Sequence, residues 1–360
     1  MKEKQPLQNP VPLKVTFIQR KPRTGNFSLE FVFEDVRKRL ATRIESTVSI
    51  VPFYTNGVFR RLWICLHAWR NQAGPEGVNH VTGDINFTAL VLHPDRTVLT
   101  VPDCTALKLC SGLKRTLLKL FWFDWPIKRA TIVTTISASV RDELIALTGC
   151  DPVKIRVIHV AVSDSFVRKE KPFAKRSPRI LHIGTAPNKN LSRLIEALAE
   201  IDCTLVVIGR LDEVTIQLMK QHNIRFENIL NLSHDDVIQQ YCLADMLAFV
   251  STSEGFGMPI VEANVVGRAV VTSNLSSMPE VAGNAACLVD PFDINSIRHG
   301  IRRVIDDESY RESLIASGFE NAKRFHGDEI AKMYLDIYAV IANKSSTTSI
   351  VKEKSAVVDA

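Results

Sequence analysis

Short runs of β-branched and aliphatic residues recur along the chain, each closed by glycine or a polar residue. In the second half they are RILHIG (179–184), TLVVIG (204–209), MLAFVS (246–251) and AVVTSN (269–274). Between and after them, apolar positions three and four apart predict helices near 189–200, 213–221, 234–243 and 259–266. The runs are apolar at successive positions, as strands covered on both faces require. Strands alternating with helices predict right-handed βαβ units and a parallel sheet. The first half repeats the alternation less cleanly, with predicted strands KVTFI (14–18), TVSIVPF (47–53), VNHVTG (78–83), TVLTV (97–101), TIVTTI (131–136) and IRVIHV (155–160). Ser28 caps a predicted helix running to about Thr42.

The expected architecture is therefore α/β, with two doubly wound domains facing across a cleft. The polar stretch RKEKPFAKRSP (168–178) reads as the linker between them. This divides the chain into a flexible start (1–13), a first domain (14–170), a second domain (171–343) and a disordered Ser/Thr/Lys-rich tail (344–360).

Composition narrows the class. The chain has 360 residues, 46% hydrophobic and 23% charged, which excludes disorder or low complexity for the bulk. No apolar run approaches the ~20 residues of a membrane span. The polar start MKEKQPLQNPVPLK has no apolar core and predicts no secretory signal. Seven scattered cysteines without a Cys-x-x-Cys pair predict reduced thiols in a cytoplasmic protein. The net charge of +6 is asymmetric, with 25 Lys+Arg against 15 Asp+Glu in residues 1–170 and a slight acidic excess beyond. A basic first half fits nucleic acid, anionic lipid or a phosphorylated substrate. No nucleic-acid module is recognisable, so nucleic acid is not expected as a partner. Residues 113–129 combine cations with Leu, Phe and Trp, including Trp122 and Trp125, the composition of an interfacial helix. A core helix with a solvated basic face is the alternative. An anionic membrane surface is thus a candidate partner, with peripheral placement on the inner face of the plasma membrane.

The chemistry concentrates in Ser253-Glu254-Gly255-Phe256-Gly257-Met258-Pro259-Ile260-Val261-Glu262-Ala263, after a strand and opening a helix. Gly255 and Gly257 let backbone amides approach a ligand, and a helix N-terminus favours an anion. Glu254 and Glu262 frame that point and suit hydroxyl donors, which describes a nucleotide sugar. A second turn, from Gly184 through Asn188 to Lys189, places a cap and a cation at a helix start. Arg210 follows the glycine of a neighbouring strand end. His182 reads as a satisfied core histidine.

The run EGFGMPIVEA, with Ser276-Ser277-Met278-Pro279-Glu280-Val281-Ala282-Gly283, resembles the signature of retaining glycosyltransferases of family 4, which have the GT-B fold of two Rossmann-like domains. The resemblance covers most of 179–326, including Asn188-Lys189-Asn190-Leu191 and Ala244-Asp245. It is thinner in the first half, where His80-Val81-Thr82-Gly83-Asp84, Thr100-Val101-Pro102-Asp103 and Thr134-Thr135-Ile136-Ser137 correspond.

The resemblance implies that Glu254 contacts the donor sugar and Glu262 the ribose. Lys189, Arg210 and the amides of Gly255, Phe256, Gly257 and Met258 would hold the diphosphate, with Gly184 and Asn188 shaping the turn. In the first domain, Gly25 would lie in a glycine loop and Asp103 in the catalytic turn, with His80, on a neighbouring strand end, the candidate to take the place near the sugar of the histidine missing before Asp103. The implied reaction is retaining transfer of a hexose from a UDP- or GDP-linked donor, GDP-mannose among the candidates, to a glycan or lipid-linked acceptor in cell-surface polysaccharide synthesis. No Asp-x-Asp occurs, so neither a metal nor another cofactor is expected. Two positions depart from the pattern. Asn188 stands where an arginine is common, and Pro102 where a histidine is usual. The second departure leaves open a donor-binding protein with impaired catalysis. A nicotinamide-dependent dehydrogenase is disfavoured, because Arg20-Lys21-Pro22-Arg23-Thr24-Gly25 lacks the required Gly-x-Gly-x-x-Gly.

Overall fold

The computed structural model describes residues 12–22 and 28–358, with side chains from 30 to 343 in the second stretch. The flexible start expected for 1–13 and the glycine loop at Gly25 lie almost wholly outside the described residues. Twelve strands are described: β1 Leu13–Gln19, β2 Ile44–Ile50, β3 Val78–Thr82, β4 Thr97–Val101, β5 Ile132–Thr135, β6 Ile155–Val157, β7 Arg179–Ile183, β8 Thr204–Ile208, β9 Arg225–Ile229, β10 Met246–Phe249, β11 Ala269–Ser273 and β12 Cys287–Val289. They form two six-stranded parallel sheets, ordered β2-β1-β3-β4-β5-β6 and β12-β11-β10-β7-β8-β9. This is the two-domain α/β arrangement of the GT-B fold.

The chain divides into two compact units. Unit 1 is Met1–Thr135, Glu143–Ile158 and Ile330–Ala360, and unit 2 is Ile136–Asp142 with His159–Glu329. The expected boundary at 170 is thus displaced, and 168–178 belongs to unit 2. The reason is Asp245, which is 5% exposed. Its carboxylate accepts the backbone N–H of Ala174 at 3.1 Å and of Arg179 at 2.7 Å, and pairs with Lys171. A run that looks like a linker by composition is fixed by one buried acid.

The core of unit 2 follows from its periodicities. The helix Leu191–Leu198 buries Leu191, Leu194, Ile195 and Leu198 against Ile180, Leu205 and Val271. The helix Ile294–Asp306 adds Ile297, Ile301, Val304 and Ile305 to the same cluster. Strand β9 is mostly exposed, as an edge strand is.

In unit 1, the helix Val58–Arg70, residues 143–148 at the end of the helix Ala138–Thr148 and the segment 105–129 cover one sheet face. There Ile64, Phe123, Ile127 and Leu144 pack on Ile18, Val81, Leu99 and Val133. The tail expected to be disordered from 344 is instead the end of a helix, Gly327–Val358. No glycine or proline follows Gly327 in that span to interrupt it. The helix buries Ile330, Tyr334, Ile337, Tyr338 and Ile341, and Tyr334 and Tyr338 pack against Phe17 and Phe33 of unit 1. No described helix is long and apolar enough to cross a membrane.

Replacing Asp245 by Ala leaves two part-buried amides without their acceptor and removes the partner of Lys171. It should lower the unfolding free energy by about 3 kcal/mol with an unchanged denaturant slope. An unaltered urea midpoint would show that the 168–178 segment is held by other contacts.

Candidate functional site

The strand order of unit 2 reverses between β7 and β10. Crossovers leave these two neighbours in opposite directions, so their helices cover opposite faces and a crevice opens at the carboxyl edge. The sequence places its glycine turns at that edge.

After β7 the chain turns at Gly184, whose φ is 91°. A Cβ there would lie 2.9 Å from Lys189 Cε, so glycine lets the lysine stem lie across the turn. A 3-10 turn, Pro187–Lys189, follows, and the helix starts only at Leu191. The cap position is therefore Asn190, in the left-handed region at φ 60°, and not Asn188. Asn190 donates to the carbonyls of Val250 at 3.1 Å and Pro291 at 2.6 Å. Asn188 instead bridges to the loop after β10, donating to Ser253 O at 2.9 Å and Glu254 Oε1 at 3.3 Å. Its own carbonyl accepts Thr252 N–H at 2.8 Å.

Lys189 Nζ donates to Glu254 Oε1 at 2.6 Å and lies 4.8 Å from the centroid of the Phe249 ring. Both side chains remain partly accessible, at 21% and 15%. Gly257, at φ 113°, starts the helix Met258–Val266, and no side chain caps it. Pro259 has no N–H and Ile260 donates to Gly257 O at 3.0 Å, so the amide of Met258 is the one left for an anion at the first turn. Arg210 is exposed beyond β8. Gly209, at φ 137°, lets that turn pass the Thr185 methyl group, where a Cβ would come within 3.0 Å.

Glu262 turns its carboxyl toward Tyr241 of the helix His234–Leu243, which donates its hydroxyl to Oε2. Burial pushes the Glu262 pKa up to about 7, against the opposing effect of that hydrogen bond. Tyr241 was not found by sequence reading, because a buried tyrosine at helical spacing looks like any core residue.

The serine-rich signature turns out to hold the glycine loop. Ser276, at φ 56°, donates to Glu254 O at 2.7 Å, and Ser277 donates to Phe256 O at 2.6 Å. From the other side Ser137 donates to Gly255 O at 2.7 Å. Glu280 accepts the N–H groups of Ala138 at 2.8 Å and Ser139 at 3.2 Å, and pairs with His159 at 2.9 Å. These contacts hold its carboxyl below the usual range, although burial alone would raise it. His159 in turn packs on Phe256 and Phe325, at centroid distances of 5.7 Å and 5.3 Å.

Lys189, Asn188, Glu254, Gly255, Phe256, Gly257, Met258 and Glu262 are thus brought to one edge. Phe256 is buried and positions the loop, while Met258 remains half-buried. Residues 163–321 match the family described as glycosyl transferases group 1. The chain is 28% identical to O-antigen chain mannosyltransferase B of Escherichia coli over 235 residues, covering 59% of this chain and 61% of the relative. It is 26% identical to O-antigen chain mannosyltransferase RfbU of Salmonella typhimurium over 227 residues, covering 59% and 63%. It therefore spans about three-fifths of the length of these curated relatives. Among solved structures, Anabaena HepE in complex with UDP and glucose superposes with a TM-score of 0.72 at 16% identity, over 91% of this chain and 100% of that one.

Within unit 1, Asp103 is exposed just beyond β4, accepting Thr105 N–H at 2.8 Å. His80 is not at a surface. It is 0% exposed, ringed by Phe17, Phe33 and Tyr334, with Nδ1 2.7 Å from Tyr338 Oη and Nε2 2.7 Å from Thr100 Oγ1. Burial pushes its pKa down to about 3, so it stays neutral. The role near a sugar expected for His80 is corrected to a core polar link, because the C-terminal helix seals it. His182 is also buried, with Nδ1 3.0 Å from Ala248 O, but Nε2 has no partner, so it is only half satisfied.

The raised pKa of Glu262 makes a signed prediction. The folded protein holds this proton more tightly than the unfolded chain, whose value lies near 4.5. The contribution to stability is therefore complete below about pH 4.5 and is lost as pH rises through about 7. Glu262→Gln should flatten the profile across that window. Parallel profiles of urea midpoint against pH for wild type and variant would contradict the assignment.

Proposed function

We propose that the chain is a retaining, metal-independent glycosyltransferase. It moves a hexose, mannose foremost, from a UDP- or GDP-linked donor to a glycan or lipid-linked acceptor in cell-surface polysaccharide synthesis. The observation that carries this reading is the Lys189–Glu254 pair at the β7–β10 crevice, beside a helix start that no side chain caps. An ammonium and free amides suit a diphosphate, and two carboxylates within the same loop and helix suit sugar hydroxyls. The mannosyltransferase relatives support the sugar. HepE, solved with UDP and glucose in the same fold, supports a nucleotide and hexose as ligands.

In the proposed reaction the bond from C1 to the diphosphate oxygen breaks, leaving positive charge on the sugar and negative charge on the leaving group. Lys189 and the amides at Gly257 and Met258 stabilise that negative charge, with Arg210 as a further cation on the same edge. Glu254 orients the sugar through its hydroxyls, and Glu262 holds the ribose. The acceptor oxygen forms its bond to C1 on the face the diphosphate leaves, and a phosphate oxygen takes the acceptor proton. Metal independence rests on the absence of Asp-x-Asp.

A second reading, donor binding with impaired transfer, is favoured by one observation. Pro102 follows β4 where the resemblance puts a histidine, and His80 is locked in the core. Nucleotide-sugar protection against thermal unfolding without transfer or hydrolysis would select it.

Glu254→Gln should lower kcat by about 100-fold, since the contact is made to the reacting sugar. Glu262→Gln should mainly raise KM, because the ribose is held alike in ground and transition states. Wild-type kinetics in both would sink the site assignment.

Lys189→Ala should weaken binding of UDP or GDP by about tenfold or more while sparing the free nucleoside. Equal losses, read by titration calorimetry, would remove Lys189 from the phosphate site.

A further inference from the structure

The helical layer of unit 1 presents an unusual outer surface. On the helix Val58–Arg70, Ile64 and Ala68 face the sheet, while Phe59 and Trp63 are 83% and 59% exposed. The neighbouring helical run, 112–129, is continuous through a π-helical turn at Lys119–Asp124. Along it Leu113, Leu117, Phe121 and Trp125 recur every fourth residue and are exposed, at 75%, 47%, 41% and 44%, while Leu109, 81% exposed, lies in the turn before it. The two helices are joined, because the Arg61 guanidinium lies 4.7 Å from the centroid of the Trp122 ring. Trp122 itself turns inward, packing on Phe87 and donating to Asp84 O at 3.3 Å, so of the expected pair only Trp125 belongs to the surface.

The charge around this apolar ground is mainly positive, with Lys108 paired to Glu143 at 2.9 Å and Lys119 to Asp124 at 2.7 Å. No carboxylate occurs between Glu45 and Glu76, or between Asp103 and Asp124. Arg60 and Arg70 stand beside the first helix, and Lys108, Lys114 and Arg115 along the second, all exposed. Trp125 continues into a cavity of about 580 Å³ that also carries Lys128, Arg129 and Lys154. Asp95 is the single carboxylate on its wall. The cavity lies at the amino edge of the sheet, before β4, β5 and β6, and is therefore separate from the carboxyl-edge turns discussed above.

We infer that this face docks on an anionic bilayer, with the Trp125 cavity receiving a lipid phosphate headgroup. The proposal does not rest on the glycosyltransferase reading. Exposed aromatic and leucine side chains enter the interface, and Arg60, Arg70, Lys114 and Arg115 meet lipid phosphates. A second copy of the chain is a poor occupant, since the same patch would bring cations against cations.

The test is co-flotation of the full chain with phosphatidylcholine vesicles, with and without phosphatidylglycerol. Wild type should partition at least ~tenfold more strongly onto the anionic vesicles, weaken at high salt, and show blue-shifted tryptophan emission. Phe59→Ser with Trp63→Ser should reduce partitioning at least ~tenfold at an unchanged melting temperature, as these side chains are exposed. Lys114→Glu with Arg115→Glu should do the same without touching an apolar group, and Lys128→Glu with Arg129→Glu tests the cavity. Wild type that ignores anionic vesicles at low salt overturns the proposal. So does variant binding equal to wild type, or a dimer in sedimentation velocity that the Phe59/Trp63 variant abolishes.

Discussion

Everything at the candidate site depends on one topological constraint, the reversal of strand order between β7 and β10. Right-handed crossovers send the helix after β7 and the helix after β10 to opposite faces of the sheet. Two adjacent strand ends are then left without a helix between them, and the loops there must satisfy their own backbone groups. The chain does so by joining them to each other. Asn188 and Asn190 reach across to carbonyls of the partner loop, and Lys189 meets Glu254 in the middle. The ion pair is thus a product of the strand order as much as of the two residues that form it.

The glycine loop shows a division of labour. Its glycines supply an uncommon backbone path, and its serine neighbours make that path rigid. Ser137, Ser276 and Ser277 take its carbonyls from two sides, and Glu280 anchors the N-terminal amides of the helix that follows Ser137. A loop whose carbonyls are all engaged from behind can only offer its amides and side chains forward. That is the requirement for a preorganised polar site, in which donors are fixed before any ligand arrives.

Much of this was legible from the sequence, and the failures have physical causes. Ten strands were found from runs of β-branched and aliphatic residues, which the central strands need for burial on both faces and the edge strands β2 and β6 also carry. Strands β9 and β12 were missed because they carry no such run; RFENI is mostly polar and exposed, and CLV is three residues long. The turn residues Gly184, Lys189, Glu254 and Gly257 could be placed because strand–glycine–helix punctuation is local. Tyr241 and His159 could not, since their partners Glu262 and Glu280 are distant in sequence. His80 misled for the same reason. Its neighbours in sequence suggest a strand end, and the residue that seals it, Tyr338, lies 258 positions away. Composition also misled at 168–178, where lysines and prolines gave no sign of the single acid that holds them.

The long return of the C-terminal helix to unit 1 has a consequence for biogenesis. Unit 2 is nearly continuous in sequence and can close on itself as it is synthesised. Unit 1 emerges first, yet Phe17, Phe33 and His80 lack their cover until Tyr334 and Tyr338 leave the ribosome. At roughly 5–20 residues per second, that is a wait of roughly tens of seconds. During it the first sheet carries an open aromatic face, a natural point of engagement for chaperones. The domain made first is therefore the one completed last.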